Sequence, residues 1–227
     1  MLSVINFEWP MLAAIVVAVL MASFAQVVIR LVMRRAQRLP TPMSGFAAAR
    51  KMLDTAGLEG VAIEQVPGSL SDHYEPLHRV LRLSESVYHG RSLAAVGIAM
   101  HEAGHALQHA AGDFRVRILG LAGISASFGS GAGIILLLLS VGFRPLIWLG
   151  ACLFCSAVFF QIVNLPGELN ASRRAKQHLL ELEIVAEEDY RAVYHVINAA
   201  TLTYLAVTLQ TVLSSLIRML RYMSRRE

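Results

Sequence analysis

Four stretches of this chain carry no charged side chain over roughly the 20 residues that a bilayer-crossing helix needs. They are Trp9 to Ile29, Ile118 to Phe143, Pro145 to Val163 and Val193 to Ile217. Apolar residues spaced at helix or strand period would mean amphipathic elements; here the excess lies in unbroken runs. The architecture expected from them is mainly α and multi-pass, a membrane protein with three or four transmembrane helices. No Lys or Arg precedes the first run, so it lacks the basic start of a cleaved signal peptide and reads as a retained anchor, residues 9–29. The second run holds Gly120, Gly123, Gly129, Gly131 and Gly133, which suits close helix packing, and it pairs with the third as a helical hairpin over residues 118–163. The fourth, within residues 192–217, is diluted by Thr201, Thr203, Thr208, Gln210 and Thr211, and either spans or lies against the other helices.

Composition agrees. Charged residues make up 16% of the chain, against roughly 25% in ordinary globular domains, which excludes a disordered or collagen-like chain. The net charge of +4 has a local origin. Arg30, Arg34, Arg35 and Arg38 follow the first run, and Arg218, Arg221, Arg225 and Arg226 lie in the basic tail, residues 218–227. These positions suit lipid headgroups, so a lipid bilayer is the expected partner and nucleic acid is not. Cys152 and Cys155 both sit in the third run, as small apolar side chains and not as a disulfide or zinc-ribbon framework.

Water-soluble character is confined to residues 30–117 and to a shorter segment, 164–191, so any chemistry belongs there. Ser44 to Ala56 has helical spacing and stops at Gly57. Val61 and Ile63, then Val80, Leu81 and Leu83, read as two strands of a short β-hairpin around the turn-rich segment between them.

Ser92 is a good helix N-cap and Gly112 a good C-terminal stop, so residues 93–111 form one helix. It contains His101-Glu102-Ala103-Gly104-His105. Histidines four apart project from one face about a turn apart and can both reach one Zn²⁺. Glu102 then lies beside the metal, placed to take a proton from water and return it to a leaving amine. The pattern also arises by chance. In a helix otherwise built of Ala, Gly, Leu, Val, Ile and Met, however, a carboxylate between two histidines is costly unless paired or metal-bound.

A catalytic zinc site needs a third protein ligand and an open position. His109 is about 12 Å along the helix axis from His101, at 1.5 Å per residue, too far to converge on one ion. The metzincin spacing fails because Gln108 and Ala111 stand where it needs Gly and His. The remaining candidate is Glu168, in Leu165-Pro166-Gly167-Glu168-Leu169-Asn170-Ala171-Ser172-Arg173-Arg174, where a carboxylate at a helix start could alternatively be an ordinary dipole contact. With it the site is His₂Glu, of the gluzincin kind, in a small α+β zincin-like domain. Asp72-His73-Tyr74 is open to two readings: His73 or Tyr74 could donate to the oxyanion of a tetrahedral intermediate, or the segment is a structural turn. His78, His89, His178 and His195 read as surface or interface histidines.

At this point the chain resembles a known family, the neutral zinc metallopeptidases of bacterial membranes, called YugP-like. The resemblance rests on Gly68 to Pro76, Arg82 to Ser86, Ala95 to Gln108 and Leu165 to Ala175, and it covers most of the chain. It implies a multi-pass metallopeptidase of the bacterial inner membrane, with His101 and His105 as ligands, Glu102 as catalytic acid/base and Glu168 as third ligand. Family members often carry an acidic residue where Asn170 stands, which puts carboxylate support of a histidine from that position in doubt.

The leading expectation is hydrolysis of a protein or peptide substrate by zinc-activated water in a domain held at the membrane surface. Intramembrane cleavage is a second reading, weakened because no apolar run holds an L-D-G-type motif. A non-enzymatic scaffold, in which zinc merely clips Glu168 to the histidine helix, is a third, and Glu102 has no use there. Arginines after the first run and before the second, with Arg173, Arg174 and Lys176 after the third, place the zinc helix on the cytoplasmic side by the positive-inside rule.

Overall fold

The computed structural model describes residues 2–69, 71–113, 116, 146–199 and 201–202. Its elements are α1 (Leu2–Gln37), α2 (Gly45–Thr55), β1 (Ala62–Val66), β2 (His73–Glu75), β3 (Val80–Ser84), α3 (Glu85–Tyr88), α4 (Leu93–Ala110) and α5 (Leu146–Glu181), followed by a 3₁₀ turn, Glu187–Asp189, and helical residues 190–199. The chain divides into two compact units, one of Met1–Val28, Gly123–Ile162 and Thr203–Glu227, the other of Ile29–Ala122 and Val163–Leu202. In the first unit, Val16, Val17, Leu20, Phe24 and Val27 of α1 and Leu149 and Phe159 of α5 are exposed apolar side chains.

The multi-pass expectation is corrected: among the described residues no helix is long and apolar enough to cross a membrane. The helices that carry the first and third runs are mixed in character. α1 continues into Arg30, Arg34 and Arg35, and α5 into Glu168, Asn170, Arg173, Arg174 and Lys176. The second run, and the fourth beyond residue 202, lie outside the described residues.

The second unit is organised around α4. Ser92 caps its start, accepting from the Ala95 amide at 3.2 Å, and Gly112 ends it at φ +77°, a left-handed conformation that glycine adopts without steric cost. α2 begins in the same way, with Ser44 accepting from the Ala47 amide, and it ends before Gly57 at φ +71°. Gly45 lets α2 approach closely, since a methyl there would collide with the Val87 carbonyl and meet Ala99 of α4 at 3.2 Å. Met52 and Leu53 of α2, Leu93, Val96 and Met100 of α4, Leu81 and Leu83 of β3, Leu179 of α5 and Ile197 form the fully buried core. Each contributes about 1.5–3 kcal/mol through burial.

The sheet has the order β1-β3-β2. The expected pairing is corrected here: β1 and β3 are parallel, Ala62 opposite Val80 through Val66 opposite Ser84, and are not the two arms of a hairpin. The hairpin is β2–β3, with Tyr74 opposite Leu81. Its connection, Pro76 to Arg79, closes with Arg79 at φ +55°. Central β3, Val-Leu-Arg-Leu-Ser, is buried along nearly its whole length, and only Arg82 in its middle is partly exposed, where it pairs with Glu64 and Glu75 of the flanking strands.

Glu168 does not begin a helix. α5 runs unbroken from Leu146 to Glu181 with Pro166 inside it, so Glu168 is an interior residue. Proline removes one amide donor from the ladder and crowds the preceding turn, a cost that packing of the surrounding helix must offset.

Candidate metal centre

His101 and His105 lie on the face of α4 that meets α5, and Gly104 between them makes the meeting close. A methyl on Gly104 would collide with the Ala171 carbonyl oxygen and stand 3.0 Å from its carbon. Ala103, Ala171 and Ala175 are fully buried in the same region. Because the helices touch backbone to side chain, Glu168, three residues before Ala171, reaches the histidines. Its Oε2 lies 3.2 Å from His101 Nε2 and 3.6 Å from His105 Nε2. The two imidazole rings stand edge to face, with centroids 5.1 Å apart.

These three residues are the described group of His, Cys, Asp and Glu side chains able to hold a metal, with ligand atoms all within 4.8 Å of one another. Bonds of about 2.0–2.1 Å in a tetrahedral site put neighbouring ligand atoms roughly 3.3 Å apart. The two measured separations bracket that value, and the N₂O donor set is one that zinc takes.

The far nitrogens of both rings are also held. His105 Nδ1 lies 3.3 Å from Gln108 Oε1, and the Gln108 amide donates to Asp113 Oδ2 at 3.1 Å and to the Gly167 carbonyl at 3.4 Å. Two acceptors on Nε2 leave Oε1 as the side of Gln108 that faces the ring, so His105 donates from Nδ1 and presents its Nε2 lone pair to a metal. His101 Nδ1 lies 3.0 Å from Ser172 Oγ, which is itself 2.6 Å from Thr201 Oγ1.

Electrostatics follow from this arrangement in the metal-free chain. Burial raises the Glu168 carboxyl, but hydrogen bonds and charge from His101 and His105 outweigh it and hold the group well below the usual carboxylate range. Burial lowers His105, and its hydrogen bond to Glu168, with the charges of Glu168 and Glu102, outweighs that and lifts it to about 9. Glu102 is raised, chiefly by burial; His101 and His105 pull it down, while Glu168 and Asp72 push it further up. A carboxyl moved toward neutrality is better matched to taking up and returning a proton near pH 7.

The remaining candidates separate cleanly. Successive strand residues face opposite ways. Tyr74 is buried against α4, its hydroxyl 2.9 Å from His109 Nδ1, and burial raises its phenol above the usual value, partly countered by Arg79. His73 is exposed and bonds the Ser71 carbonyl through Nδ1. His109 therefore meets Tyr74, one turn beyond His105, and is not among the grouped ligands. Asp72 accepts from the Ser84 amide at 2.7 Å and from its hydroxyl at 2.9 Å, which ties the start of β2 to the end of β3. Asn170 accepts from Arg174 at 2.8 Å and supports no histidine; Ser172 does that instead. Sequence reasoning missed Ser172, although it lies one helical turn after Glu168 and so on the same face. It also missed Gln108 and Thr201 as partners of the ligands.

Comparison with known proteins fits this geometry. The sequence model of a family described as "Putative neutral zinc metallopeptidase" matches residues 11–224, nearly the whole chain, and the chain belongs to that family. Zinc is the family's metal, in keeping with the His101, His105 and Glu168 group. The chain is 43% identical over 185 residues to a Bacillus subtilis (strain 168) protein named "Putative membrane protease YugP", covering 79% of each. No solved structure matches.

Proposed function

We propose that the chain is a zinc-dependent peptidase in which His101, His105 and Glu168 hold the metal and Glu102 moves the proton. The observation that carries this reading is the convergence of His101 Nε2, His105 Nε2 and Glu168 Oε2 beside a carboxyl that burial has raised. Bound zinc supplies a Lewis acid that acidifies water and polarises a carbonyl oxygen. Glu102 accepts the proton of the attacking water and delivers it to the departing amine, so the peptide bond is cleaved with no net change in the enzyme. Of the Asp72 to Tyr74 segment, Tyr74 is the better candidate for a donor to the developing oxyanion, since its hydroxyl meets His109 on the helix that carries the two ligands, whereas His73 faces solvent.

The substrate class is a protein or peptide. The name of the Bacillus relative supports work at a bacterial cell membrane. Glu102→Gln tests the reading. It should bind zinc as the wild type does and hydrolyse a quenched-fluorescent peptide about 10²–10⁴-fold more slowly. Undiminished hydrolysis by Glu102→Gln would refute it.

A further inference from the structure

The chain of hydroxyls behind His101 is not part of the ligand set and has a direction. Thr201 Oγ1 lies 3.4 Å from the Ile197 carbonyl, which can only accept. With that carbonyl as the final acceptor, Thr201 donates to Ile197, Ser172 donates to Thr201, and Ser172 Oγ accepts from His101 Nδ1–H. His101 Nε2 is then left with a lone pair facing Glu168. In the reverse polarity, Ser172 donates to Nδ1, the ring proton sits on Nε2, and the lone pair a metal needs is gone. The whole chain is buried: His101 is 4% exposed, Ser172 3% and Thr201 7%. Water therefore does not substitute readily for a missing partner, and an unpaired hydroxyl there is costly.

We infer that Ser172 and Thr201 are positioning residues for the metal centre, fixing the tautomer and orientation of His101 through a relay that ends on the Ile197 carbonyl. The inference deepens the proposed function and rests on His101 being a ligand. It also gives the helical segment that carries Thr201, at the far end of the sequence from α4, a share in metal binding. Carboxylates usually fill this role behind a zinc-bound histidine; two neutral hydroxyls do so here and add no charge to the site. Thr201→Val keeps the shape but removes the onward acceptor, which frees the Ser172 proton to turn back toward Nδ1.

The test is zinc affinity of the full-length protein, measured by competition with a chromophoric chelator. Ser172→Ala, favourable for helix and therefore for folding, should weaken zinc by about 10–100-fold, the usual effect of losing a partner behind a ligand. Thr201→Val should weaken it in the same direction, and Thr201→Ser, which keeps the hydroxyl, should restore it. Thr55→Val, which removes a hydroxyl that bonds only the Lys51 carbonyl in α2, serves as a control and should match the wild type. If Ser172→Ala and Thr201→Val bind zinc within twofold of a zinc-binding wild type, the relay is overturned and the proposed function stands. A wild type that takes up no zinc overturns the proposed function, and the relay falls with it.

Discussion

Gly104 faces the backbone of Ala171 with no room for a side chain between them, and this contact brings Glu168 to the two histidines. Gly104→Ala forces the added methyl against the Ala171 carbonyl, and backbone cannot swing aside as a flexible side chain would. The substitution raises helix propensity on α4, yet it should cost about 1–3 kcal/mol of stability by overpacking. Zinc affinity should fall with it, because α5 is displaced. Denaturant unfolding and chelator competition measure the two effects; a variant with wild-type values in both would show that the close approach is not needed.

Glu168→Ala and His109→Ala should differ sharply. The first removes an oxygen that lies 3.2 Å and 3.6 Å from the two Nε2 atoms, and zinc content after dialysis should collapse. The second removes a partner of the Tyr74 hydroxyl and should leave zinc near one per chain. Elemental analysis decides, and equal losses would mean that the third ligand has been misassigned.

Zinc uptake should depend on pH more steeply than at an ordinary pair of histidines. His105 sits at about 9 in the metal-free chain, so between pH 6.5 and about 9 binding must expel its proton, and affinity should climb by about tenfold per pH unit. Glu168 is ionised throughout that range and adds no slope. The sign for folding is the opposite. The raised His105 stabilises the metal-free fold fully below its ordinary value of 6.5, and that contribution is lost as pH rises through about 9. The depressed Glu168 contributes above its ordinary value of 4.5 and is lost as pH falls. Chelator competition at three pH values would contradict this if affinity stopped rising by pH 7.5.

Tyr74→Phe keeps the ring packed against His109 and removes only the hydroxyl. Turnover of a peptide should drop by about 10²–10³, the range for loss of one oxyanion donor, with zinc content unchanged. His73→Ala should stay within about twofold of wild type, because the exposed ring bonds only its own turn. Reversal of that order would exchange their roles.

What could be read in the sequence was local. Ser44 and Gly57 bracket α2, and Ser92 and Gly112 bracket α4, because caps and stops are decided by single residues and their backbone preferences. The grouping of His101 with His105 followed from helical period alone. Glu168 is reached by asking where a carboxylate could return to the site, but its setting is not: it reads as a helix start, whereas α5 runs through it with Pro166 inside the helix. The strand at His73–Glu75 is not legible in the sequence, because three residues give no usable alternation. Unbroken apolar runs suggested bilayer crossings that the described helices do not supply. Thr201 left no trace at all, since nothing near it in the chain marks it as a partner of a histidine a hundred residues earlier.

The unit that holds the centre is written in two pieces, Ile29–Ala122 and Val163–Leu202. A ribosome delivers the histidines first, Glu168 only after the intervening segment, and Thr201, whose hydroxyl meets Ser172, later still. The nascent chain thus holds the His101-Glu102-Ala103-Gly104-His105 motif before it has the third ligand or the inter-helix contact that would complete the group. The group of His101, His105 and Glu168 is therefore complete only once the second piece has been synthesised.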